Sequence, residues 1–71
     1  MKKVITIEID ENAFNGLNNA VISYMDLVFA CYMKCEVSSK FEKLKNLSDE
    51  ELFARRDALV DMYKQIEKEF I

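Results

Sequence analysis

Few side chains in this sequence could do chemistry. There is no His, which removes the usual proton shuttle near neutral pH and the commonest metal ligand. Cys31 and Cys35 stand four apart, on one face of a helix. A metal site needs several ligands and no second cluster accompanies them, so the plainer assignment is two small buried hydrophobes in a reducing compartment. Asp26 is the lone charge in a long apolar stretch. It faces solvent, pairs with Lys64 or Lys68, or serves as a carboxylate at a subunit seam. Arg55 and Arg56 are adjacent and point in different directions. Arg56 takes a place in the Leu52–Leu59 row where an apolar residue is expected, so it either pairs with Glu36 or Asp57 or offers its planar fork to an anion. Tyr32 adds a hydroxyl at an otherwise apolar position. The candidate ligand or partner contacts are therefore Arg55, Arg56, Tyr32 and Asp26. No nucleophile–base pair, Gly-rich phosphate loop or metal motif can be assembled, so the expectation is a protein that is not an enzyme and carries no cofactor or metal.

The elements that must position these groups are organised around Ala20–Met33, fourteen residues of which only Ser23 and Asp26 are not apolar or aromatic. At helical spacing one row runs Phe14, Leu17, Val21, Tyr24, Val28, Cys31, Cys35. A second runs Ile22, Met25, Phe29, Met33. A helix that is apolar on several sides must be covered on several sides. A chain of 71 residues, 51% of them hydrophobic, has little else to cover it, and small chains bury only a modest fraction of their surface. Self-association follows as an expectation, with Ile5, Ile7, Val21, Tyr24, Met25, Val28, Phe29 and Met33 as the oligomer interface. A membrane span is disfavoured, because it needs roughly 20 apolar residues and Asp26 would sit near its middle.

Residues 3–9 alternate, with Ile5, Ile7 and Ile9 on one side and Val4, Thr6 and Glu8 on the other, which predicts a half-buried strand. It is the only strand signal, so it must pair with the same strand of another copy. Asp10 suits an N-cap, Glu11 the positive helix end, and Ile9 with Phe14 a hydrophobic staple. Helix 1 is expected over 11–45 as a continuous element, with any bend near 36–39, where Ser39 and Glu42 offer a new capping pair. Asn46-Leu47-Ser48 ends it. Ser48 with Glu51 forms a capping box and Leu47 with Leu52 a staple, predicting helix 2 over 49–70. In the resulting hairpin, residues equidistant from the turn meet, placing Leu59 near Lys34 or Cys35 and Ile66 near Val28.

The expected architecture is thus mainly α: a single domain over 1–71, with a short N-terminal β-strand followed by a long-helix antiparallel helical hairpin, assembled as a homo-oligomer into a helical bundle. The net charge of −3 opposes a generic nucleic-acid binder, for which a basic excess is the footprint. No leader pattern is read at Met1-Lys2-Lys3, and a cytoplasmic location is expected. Size, acidity and lack of catalytic groups suit a phage or mobile-element accessory protein that inhibits a host factor or sequesters a small anionic ligand.

The stretch VITIEIDENAFNGLNNA also resembles the opening of a ribbon-helix-helix repressor, with a short alternating strand, an acidic cap and apolar residues at this spacing in the first helix. The resemblance implies strands paired across a dimer and inserted in the DNA major groove, hence a DNA-binding regulator or antitoxin as the alternative function. Val4, Thr6 and Glu8 stand where that family places polar or basic contacts. No turn signal appears near residues 24–28, where its first helix ends.

Overall fold

The structure is a computed structural model that describes residues 2–71. It is mainly helical, with α1 over Glu11–Tyr32, a 3-10 turn over Ser39–Phe41, a one-turn α2 over Glu42–Lys45 and α3 over Asp49–Glu67. Both principal helices start where their caps require. The Asp10 carboxylate accepts from the Ala13 amide at 2.8 Å, and the Ser48 hydroxyl accepts from the Glu51 amide at 3.2 Å. Each satisfies one of the amides that a helix start leaves without an intrahelical partner. Three acidic residues in the first turn of α3 add favourable charge at its positive end.

The expected helix 11–45 is corrected here: α1 ends at Tyr32, before the 36–39 region. Lys34 adopts a left-handed backbone with φ 60°. The Cys35 amide donates to the Ala30 carbonyl at 2.9 Å and the Lys34 amide to the Cys31 carbonyl at 3.2 Å. These two bonds close the helix end in the way a glycine usually does. A non-glycine residue in this backbone region costs about 1–2 kcal/mol, and the apolar pattern running on through Val37 and Leu44 hid the break. The new turn begins at Ser39, but Ser38 caps it, its hydroxyl accepting from the Lys40 amide at 3.5 Å. Gly16 makes the opposite mismatch: it lies inside α1, and a Cβ there would meet open space. Gly16→Ala and Lys34→Gly are each expected to stabilise the chain by about 0.5–1 kcal/mol, read as a higher midpoint in urea unfolding. Destabilisation by Lys34→Gly would remove the left-handed closure from the account.

Because α1 stops early, residues 33–48 form a long connection and the helices meet in a different register from the expected one. They run in opposite directions. Tyr32 at the end of α1 meets Phe53 near the start of α3, with ring centroids 5.1 Å apart. Phe14 near the start of α1 stacks on Phe70 at 4.5 Å and on Tyr63 at 5.7 Å. Val28 packs with Leu52, not with Ile66. Val28, Cys31 and Leu52 form the buried cluster, and Tyr24, Val37, Leu44, Leu47 and Phe53 pack against it. The connection therefore folds back over the open end of the helix pair, and Leu47 packs against the buried cluster that contains Leu52. At the other end the Tyr63 hydroxyl donates to Asn18 Oδ1 at 3.0 Å. Burial raises the Tyr63 phenol above its ordinary value, and the Glu67 carboxylate adds to the rise. α3 ends at Glu67, with turns over 68–70.

The strand expected over 3–9 does not form. Those residues hold neither helix nor strand, and none of their main-chain groups is hydrogen-bonded to another main-chain group among the described residues. The alternation is present, but a strand needs a neighbour to accept its ladder, and one chain supplies none. The segment lies along the end of α3, where Ile5, Ile7, Ile66 and Phe70 line a shared open groove.

Candidate functional site

α1 presents its two apolar rows to different surroundings. The inner row goes into the chain itself: Val21, Val28 and Cys31 are buried and Tyr24 is half-buried. Of the residues expected at an oligomer interface, Val21 and Val28 are thus buried within the single chain. Tyr24 likewise packs on the buried cluster. The outer row stays open, with Ile22 51%, Met25 41%, Phe29 62% and Met33 54% exposed. These residues recur three and four apart, so they form one stripe along the helix. Ile5 and Ile7 are also open, at 75% and 63%. Single exposed apolar residues are ordinary; a contiguous stripe marks an interaction surface.

Beside the stripe lies a groove of about 250 Å³ lined by Met25, Asp26, Val28, Phe29, Phe53 and Arg56. α1 supplies one wall and the first turns of α3 the other, so the antiparallel register brings Asp26 and Arg56 to one place. Tyr32 joins through Phe53, whose ring it meets at a tilted angle. The Arg56 guanidinium sits over the other part of that arrangement, 4.8 Å from the Phe53 centroid, where the ring's negative face attracts it. Its Nε and Nη2 both donate to Asp57 Oδ1, at 3.0 and 2.8 Å. Arg56 keeps 36% and Asp57 63% of its side chain exposed, and such part-exposed pairs are worth little and are weakened by salt. The expected link from Arg56 to Asp57 is therefore present, and Glu36 takes no part in it.

Asp26 forms no ion pair among the described residues, neither with Lys64 nor with Lys68. It stands exposed between this groove and a second, more apolar one lined by Ala20, Ser23, Tyr24, Leu27 and Phe41. Arg55 is exposed and lines neither groove. Of the four candidate contacts, the structure thus gathers Asp26, Tyr32 and Arg56 and leaves Arg55 apart. Phe53, which holds Tyr32 and Arg56 together, is not among the candidate contacts the sequence suggests. The available signal was its spacing three before Arg56, which puts the two on one helix face.

The cysteines separate. Cys31 is in the core and Cys35 is exposed, since Cys35 lies beyond the end of α1 and the same-face relation no longer applies. No group of three or more His, Cys, Asp or Glu residues is placed to hold a metal ion among the described residues. No helix among them is long and apolar enough to cross a membrane. No protein-family model, curated protein or solved structure matches this chain.

Proposed function

We propose that this chain is a non-enzymatic subunit that acts by binding, and that it works as a homo-oligomer. The observation that carries the reading is an excess of surface. The chain exposes 6097 Å², whereas a folded monomer of 8.3 kDa exposes roughly 4,600 Å² by the usual size scaling. The difference, roughly 1,500 Å², exceeds the roughly 800 Å² that each partner contributes to an ordinary stable interface. The radius of gyration of 13.8 Å is likewise larger than the roughly 11 Å expected for this length. The uncovered area includes the Ile22–Met33 stripe and the residue 3–9 segment. On this reading that segment gains its missing ladder from the same segment of another copy.

The partner is a host protein or a small anionic ligand, met by Arg55 on the exposed face of α3. A cytoplasmic phage or mobile-element accessory protein that inhibits a host factor is the version that size and acidity support. The ribbon-helix-helix-like regulator is the second reading, favoured by the extended segment leading into an Asp10-capped helix. It requires DNA affinity that falls steeply with salt.

Sedimentation velocity across a dilution series from high to low micromolar concentration tests the first reading. The expected result is a reversible shift from dimer or larger species toward monomer. A well-folded monomer throughout that range overturns it.

A further inference from the structure

We infer that the groove between α1 and α3 receives a second copy of this chain, with Asp26 of each copy paired to Arg56 of the other. The inference rests on the homo-oligomer reading and specifies its geometry. Met25 and Phe29 belong both to the exposed stripe and to the groove, so a copy laid on the stripe necessarily meets the groove walls. Those walls carry opposite charges that are not bonded to each other: Asp26 has no ion-pair partner among the described residues, and Arg56 uses its sequence neighbour Asp57.

A surface with a carboxylate on one wall and a guanidinium on the other is self-complementary under a two-fold axis. The rotation that brings Asp26 to the second copy's Arg56 also brings Arg56 to the second copy's Asp26. The exposed Arg56–Asp57 bond is weak enough to loosen or be shared when a second carboxylate arrives in a drier setting. A free anion fits less well, because Asp26 would repel it. An unrelated protein would have to supply both charges at this spacing around an apolar centre. Phe29 is the side chain placed to enter the opposing groove, against Phe53 and Met25. Arg55, outside the groove, stays open to an anionic partner.

The test uses Asp26→Arg and Arg56→Asp, separately and mixed. The Asp26→Arg copy presents Arg at both positions, and the Arg56→Asp copy presents Asp at both. Each homodimer then faces like charges, while the mixed dimer has two restored pairs. Equilibrium sedimentation at fixed total concentration is expected to show each variant alone dissociating at least tenfold more readily than the unsubstituted chain. An equimolar mixture is expected to recover most of the lost mass. Both positions are open enough to solvent that far-UV circular dichroism should be unchanged, which separates lost docking from lost folding. Unaltered self-association of the single variants, or a mixture no better than its components, overturns the docking geometry and leaves self-association standing. If the unsubstituted chain is itself monomeric, both fall together.

Discussion

Leu52→Ala is expected to leave the chain largely unable to hold its fold, at a cost of about 3 kcal/mol. Leu52 is 1% exposed and is the α3 member of the buried cluster, together with Val28 and Cys31 from α1, against which Val37, Leu44 and Leu47 of the returning connection pack. Few other side chains are fully buried, so no second cluster can compensate. A domain of this size has only about 3–5 kcal/mol of stability from its own core, and the substitution removes most of it. Urea unfolding followed by circular dichroism should show a midpoint near zero denaturant, or no cooperative transition. A loss below about 1 kcal/mol would mean that the cluster collapses without penalty and that Leu52 is not what joins the helices.

Phe29→Glu is expected to have the largest effect on assembly while leaving the single chain folded. Phe29 is the most exposed member of the stripe, so a charged replacement changes the isolated chain by about 0.5 kcal/mol or less. In an interface the same carboxylate would be buried without a partner, which costs several kcal/mol and corresponds to a loss of at least about a hundredfold in association. Light scattering should report monomer at concentrations where the unsubstituted chain is assembled, with helix content retained. Ala58→Glu, on an exposed part of α3, is the matched control and should leave the mass unchanged. Equal behaviour of the two variants would remove the stripe from the interface.

The parts of the fold legible in the sequence are those set by local chemistry. Asp10 and Ser48 announce their helix starts because a short polar side chain followed by acidic residues has one good use there. Periodicity shows two apolar rows on α1 but not which of them the chain covers itself: Val21 and Val28, expected at an oligomer interface, are buried within the chain. The end of α1 was not legible, because its left-handed closing residue is Lys34 and carries none of the marks of a helix stop. That single miss moved the hairpin register, so Leu52 packs where Ile66 was expected. Residues 3–9 do alternate, but the strand this pattern predicts is absent, because alternation describes side chains, whereas a strand is defined by its neighbours' amides. At the candidate site, Asp26 and Arg56 stood out individually as charges in apolar rows. Their meeting in one groove depended on the register and could not be read before it.

The bare main chain ahead of Asp10 has a kinetic consequence. In an isolated chain nothing retards isotope exchange at the amides of Val4 to Ile9, so deuterium should enter them almost at once, while the amides deep in α1 stay protected. If copies knit those segments together, the first-labelled part of the molecule becomes a gauge of crowding, and its uptake slows as the solution is concentrated.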